Sequence, residues 1–299
     1  MAFVELSSSA LAPGVFPVRI HYRDVGAGRP LVILHGGWGY EIYPFDHQLQ
    51  ALATEHRVVI PDRTGYGGSG TLERQEVDFH HRAAAETFAV IEALALDRPV
   101  LWGHSDGAVI ALLAGLAAPE RLSGLIVEAT HLFRSKPASR EFFETMIANP
   151  DGLGARVTDV LAREHGERWR DLIRANGVAW LRIADERSAP DDDLYGGRLA
   201  GLQPPTLMIH GARDSRSEPG ELDALRAALD GVARFEIFPE GGHSPHSERA
   251  TADEVTRVAQ RFLSAVVPAL PPPLADGSNE LRPGAPKRAE REGGAPAGS

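Results

Sequence analysis

Short runs of valine, isoleucine and leucine, bounded by glycine or proline, alternate along this chain with longer stretches of helical periodicity. Residues 3–7 and 15–23 predict two paired strands at the start, ended by the turn Gly26-Ala27-Gly28. Continuous apolar runs follow at 31–34, 57–60, 99–102 and 124–128, with two more at 206–209 and 233–237. Runs without polar alternation predict strands covered on both faces. Helical patterns fill the intervals at 45–53, 79–96, 108–116, 221–229 and 253–266. Strand–helix alternation of this kind predicts an α/β fold: a mostly parallel sheet, right-handed crossovers and helices on both faces. Ligands of such sheets bind beyond the carboxyl ends of the strands.

Two regions break the rhythm. Residues 131–203 hold helical patterns at 141–148, 155–165 and 167–184 without a good strand. They predict a helical cap inserted over the strand ends, with 1–130 and 204–267 forming the core. Of the cap's large side chains, Phe133, Phe142, Phe143, Met146, Trp169, Trp180 and Leu181, some are expected to face a pocket and most to hold the cap together. The tail, 268–299, is rich in Pro, Gly, Ala and charge, too poor in apolar surface to offset chain entropy, and is expected to be disordered.

Composition narrows the function. At 299 residues and 43% hydrophobic side chains the chain can bury a large core. With no cysteine, disulfides, thiolate zinc sites, iron–sulfur clusters and cysteine nucleophiles are excluded. A formal net charge of -10 argues against nucleic acid and against anionic lipid surfaces as partners. The start of the chain lacks a basic segment and a long apolar run, and no stretch of about 18 apolar residues occurs anywhere. A soluble, cytoplasmic protein is expected.

The candidate chemistry centres on Gly103-His104-Ser105-Asp106-Gly107, which fits G-x-S-x-G and joins the run 99–102 directly to a helical pattern. A serine on so sharp a turn needs small neighbours, and the turn exposes its hydroxyl at a helix N-terminus. A serine needs a base, and the base an orienting acid. Downstream, His210-Gly211-Ala212-Arg213-Asp214 puts a carboxylate in a loop after a strand, and Glu240-Gly241-Gly242-His243 puts an imidazole after the next.

With these loops in the order Ser105, Asp214, His243, residues 1–267 resemble the α/β-hydrolase superfamily of serine hydrolases. Two more segments carry the likeness: Leu34-His35-Gly36-Gly37-Trp38-Gly39, similar to the family's oxyanion-hole loop, and the turn from Asp62 to Ser69. The resemblance implies Ser105 as nucleophile, His243 as base and Asp214 as the acid that orients it. It also implies an oxyanion hole from the backbone N–H groups of Asp106 and Gly37, with Trp38 the alternative to Gly37. The expected activity is cofactor-free hydrolysis of a small, partly apolar carboxylic ester through an acyl-enzyme, in a pocket lined by Trp38, His104, Glu128, Phe142 and Trp180. C–C bond cleavage, lactone opening and non-catalytic ligand binding by the same fold stay open as alternatives.

Glu128, at a strand end, competes with Asp214 for the role of acid. His246 lies three residues after His243, but Pro245 intervenes and no ligand cluster accompanies them, so no metal is expected. His35 is expected to brace its loop, and His80 and His81 to sit on a solvated helix surface. Gly65-x-Gly67-x-x-Gly70 matches a dinucleotide fingerprint but opens no helix, which removes its physical basis. Epoxide hydrolases of the superfamily place an aspartate where this chain has Ser105; Asp106 is one residue late. A carboxylate-bearing substrate would call for a cation over the pocket, for which Arg134, Arg174 and Arg182 are candidates.

Overall fold

A computed structural model describes residues 2–72, 74–186, 189 and 192–266. The tail expected to be disordered, 268–299, lies outside them. The sheet strands are β1 (Ala2–Leu6), β2 (Val18–Val25), β3 (Arg29–Leu34), β4 (His56–Pro61), β5 (Val100–His104), β6 (Gly124–Glu128), β7 (Thr206–Gly211) and β8 (Ala233–Phe238). They form one sheet in the order β1-β2-β4-β3-β5-β6-β7-β8. β2 runs antiparallel to both β1 and β4, and the remaining pairs are parallel.

The helices are α1 (Asp46–Leu52), α2 (Phe79–Ala93), α3 (Asp106–Ala117), α4 (Arg140–Ala148), α5 (Ala155–His165), α6 (Trp169–Asp185), α7 (Glu221–Ala228) and α8 (Ala252–Val266). Strand pleating divides the core between two faces. Leu31 and Ile33 of β3, with Val100 and Trp102 of β5, pack with Leu52 of α1 and Val255, Ala259 and Phe262 of α8. Their neighbours Val32, Leu34 and Leu101 pack with α2, α3 and α7 on the other face. Every residue of β5, β6 and β7 is buried, which is why their sequences lack polar alternation.

Two boundaries differ from the pattern-based expectation. β2 begins at Val18 rather than near 15 because Pro17 has no N–H for the ladder. α2 stops at Ala93, and Ala95 turns to φ 50°, a left-handed conformation that ends the helix.

Between β6 and β7 stand α4, α5 and α6. Met146, Leu161, Trp169 and Ile173 join them to one another and to Trp38 of the loop after β3. Polar ties add to this packing: Glu164 accepts the N–H groups of Tyr40 and Glu41 at 2.7 and 3.0 Å. His165 accepts the Gly67 N–H on Nδ1 and donates from Nε2 to the Trp38 carbonyl. The inserted helices are therefore anchored to the loops beyond β3 and β4. No described helix is long and apolar enough to cross a membrane.

Candidate active site

β5 runs into α3 through Ser105, whose φ of 54° and ψ of -120° place it in a strained turn. The flanking glycines have no substitute there. A Cβ on Gly103 would stand 2.1 Å from the Gly107 carbonyl oxygen, and one on Gly107 would stand 2.0 Å from that of Leu34. α3 begins at Asp106, so the N–H groups of Asp106 and Gly107 have no acceptor within the helix and lie at its positive end.

Asp214 follows β7 and His243 follows β8. Nδ1 of His243 lies 3.0 Å from both carboxylate oxygens of Asp214, and the Arg216 N–H donates to Oδ1 at 2.8 Å. Burial alone would raise the Asp214 pKa, but the charge of His243 and these hydrogen bonds hold it well below the usual carboxylate range. A carboxylate at Nδ1 keeps the proton there and leaves Nε2 as the basic nitrogen. Ser105 and His243 line the same cavity. No hydrogen bond joins the Ser105 hydroxyl to the imidazole in this state, a contact that commonly tightens only with substrate bound.

The histidine loop is held from beneath. Nε2 of His104 lies 3.0 Å from the His243 carbonyl oxygen and 3.0 Å from the Ser244 hydroxyl. A carbonyl only accepts, so His104 carries its proton on Nε2. Burial, followed by the neighbouring His246 and His243, pushes its pKa well down and keeps it neutral. His104 lines the cavity as expected, but its ring is spent on positioning His243.

Glu128 stands elsewhere. It is fully buried, bonds to the Nδ1 and N–H of His246 at 2.9 Å each, and accepts from Trp102 Nε1 at 3.3 Å. It reaches neither His243 nor the cavity, so the structure corrects both roles considered for it, rival acid and pocket residue. His246 is committed as well, with Nε2 on the Tyr43 carbonyl and its ring stacked 3.7 Å from Phe45.

The loop after β3 lies on the serine turn: a Cβ on Gly36 would stand 3.3 Å from Ser105 Cβ. Behind this loop, the Gly37 carbonyl accepts from the Tyr66 hydroxyl at 3.1 Å. His35 braces it by bonding the Gly36 carbonyl and the Arg63 N–H. Gly37, Trp38 and Asp106 line the cavity, and none of their N–H groups is engaged among the described residues. Phe142, Phe143 and Trp180 supply the wall from the inserted helices.

Sequence reasoning missed the work of the Asp106 side chain. Its Oδ1 accepts from His80 Nε2 at 3.3 Å and Trp180 Nε1 at 3.1 Å, and Oδ2 from Asn176 Nδ2 at 3.0 Å. Burial opposes its charge, but His80, then Arg63 and His131, hold the carboxyl well below its ordinary range. His80 is buried, not solvated, because its face of α2 turns inward toward α3 and α6. An aspartate just after the elbow serine thus ties α6 to the core.

Asp106→Ala leaves these buried donors without their acceptor, and is expected to cost about 3 kcal/mol, or roughly 6–12 °C in Tm. Because the folded-state pKa is depressed, the aspartate's contribution is present above about pH 4 and is lost as the pH falls further. The Tm gap between wild type and variant should therefore narrow on acidification. A Tm within 1 °C of wild type at neutral pH, by calorimetry, would contradict this role.

The arginines considered for a substrate anion do not reach the cavity. Arg134 bonds the Ile183 carbonyl, Arg174 pairs with Asp171, and Arg182 pairs with Glu186 and Glu76. The cations that do line it are Lys136 and Arg216. For Arg216 a signal existed in the sequence: it lies two residues beyond the expected acid.

Comparison with known proteins places this fold in a family. Residues 31–258 match the sequence profile of the Alpha/beta hydrolase family. The mouse Serine hydrolase BPHL (Mus musculus) is 27% identical over 250 residues, covering 82% of this chain and 83% of that protein. Mouse Epoxide hydrolase 4 is 35% identical over 260 residues, 76% of this chain and 71% of that protein. A thermophilic esterase from Thermogutta terrifontis superposes with a TM-score of 0.66 at 24% identity, over 89% of this chain and 99% of that one, a likeness of fold.

Proposed function

The chain belongs to the alpha/beta hydrolase family, and from that premise we propose that it is a serine hydrolase that cleaves a small carboxylic ester through an acyl-enzyme. The observation that carries the reading is the Asp214–His243 pair, bonded at 3.0 Å, whose imidazole lines one cavity with the elbow serine. Ser105 attacks the ester carbonyl while Nε2 of His243 takes its proton, then returns it to the departing alcohol. The N–H groups of Asp106 and of Gly37 or Trp38 stabilise the oxyanion. Water repeats the sequence in the second half-reaction and releases the acid. A serine at the elbow favours this course over the epoxide chemistry named for one relative, since the carboxylate of Asp106 is bound to His80, Asn176 and Trp180 and is not free to attack.

In this reading α4, α5 and α6 form a cap. The cavity beneath holds only about 50 Å³, against roughly 300–1,000 Å³ for ordinary ligand sites. Its walls must part to admit a substrate, which favours short chains. A panel of p-nitrophenyl esters of rising acyl length, with lactone, amide and dienoate substrates beside them, tests the reading. Esters should be turned over, and kcat/KM should fall at least about ten-fold from short to long acyl chains. A flat profile would contradict a cap-defined pocket, and turnover confined to the dienoates would replace ester with C–C bond hydrolysis.

A further inference from the structure

Ester hydrolysis by the triad leaves one charged side chain of the cavity without a task. The guanidinium carbon of Arg216 stands 3.5 Å over the Phe142 ring and 5.2 Å from the centre of the Trp38 ring. Those two rings are themselves 5.8 Å apart. Stacking on aromatic faces orients the planar fork and leaves its N–H edge free. Among the described residues, no carboxylate stands within ion-pair distance of Arg216 and no acceptor bonds its side chain.

The other charges in the cavity wall and just behind it are satisfied. Lys136 Nζ lies 2.7 Å from Glu221 and 3.2 Å from His131 Nδ1. Glu221 also accepts the N–H groups of Leu132 and Phe133. Asp214 is bonded to His243, and Asp106 to His80, Asn176 and Trp180. Burial works against the charge of Arg216, only partly offset by Tyr43 and Asp214, yet a guanidinium does not give up its proton in a protein. The guanidinium is half-buried and has no protein anion to pair with, and an anion arriving in the cavity fills that place with charge-assisted hydrogen bonds.

We propose that Arg216 is the carboxylate-binding residue of the substrate pocket, so that the preferred ester carries a carboxylate on its acyl or its alcohol side. The inference rests on the serine-hydrolase reading and names the substrate class of that site. The fork holds the carboxylate by paired N–H bonds, while Trp38 and Phe142 cover the carbon chain that links it to the ester.

Matched substrates provide the test. Mono-4-nitrophenyl glutarate is compared with 4-nitrophenyl valerate for an acyl-side anion, and 4-acetoxybenzoate with its methyl ester for an alcohol-side anion. In at least one pair, wild type should favour the anion at least ten-fold in kcat/KM, mainly through KM. Arg216→Gln should cut that charged-to-neutral ratio at least ten-fold, Arg216→Lys should fall between, and Arg216→Glu should invert it. Preference for the neutral ester in both pairs, or an unchanged ratio in Arg216→Gln, would overturn the proposal. If no ester of either pair is cleaved, the ester reading of the site fails, and calorimetric binding of glutarate decides the subsite. Binding weakened at least ten-fold in Arg216→Gln supports it, and no binding to wild type sinks it.

Discussion

Ser105→Ala is expected to reduce kcat on any ester substrate by about 10⁶-fold while leaving the fold intact. The magnitude follows from the way a triad acts as a unit: without the hydroxyl there is no acyl-enzyme, and His243 is left with nothing to deprotonate but water. What remains comes from binding and from the N–H groups at the start of α3, roughly 10³-fold over the uncatalysed reaction. Structural damage should be slight, because the Ser105 hydroxyl makes no hydrogen bond among the described residues and the backbone bond to the Glu128 carbonyl persists. A folded Ser105→Ala protein that retained more than about a hundredth of the activity would show that the chemistry runs elsewhere.

Asp214→Asn carries the second largest effect, about 10⁴-fold in kcat. The amide no longer stabilises the imidazolium that forms when His243 takes the serine proton. Its NH₂ group can also turn the ring to the tautomer with the proton on Nε2, which cannot serve as base. Glu128→Gln supplies the contrast. That carboxylate bonds His246 and Trp102, so its loss should lower Tm and change kcat far less. Rates for both variants, each referred to its folded fraction, separate the two roles. An equal or larger kcat loss in Glu128→Gln would return the acid's role to β6.

The sequence pattern carried most of this architecture because the sheet is buried on both sides, and buried strands must be written as apolar runs. Residues 124–128 were legible to the residue, as β6 shows. The elbow was legible for steric reasons: Gly103 and Gly107 leave no space for a Cβ. What periodicity reports is burial, not partnership. It could not show that Glu128 faces His246 rather than His243, since both lie within the same short loop. His80 reads as one of two adjacent histidines on a solvated helix, but its face of α2 turns inward and its partner, Asp106, lies 26 residues away. Nor could composition distinguish Arg216 from the arginines of α6, because what sets it apart is the lack of a partner.

Covalent labelling asks most directly whether these residues form a working nucleophile. Intact protein treated with a fluorophosphonate should gain one label, mapped by peptide mass spectrometry to the segment containing Ser105, and His243→Ala should slow that labelling by orders of magnitude. Folded wild-type protein that takes up no label, or takes it on another residue, would mean that the serine at the strand-to-helix turn is not activated by the imidazole beside it.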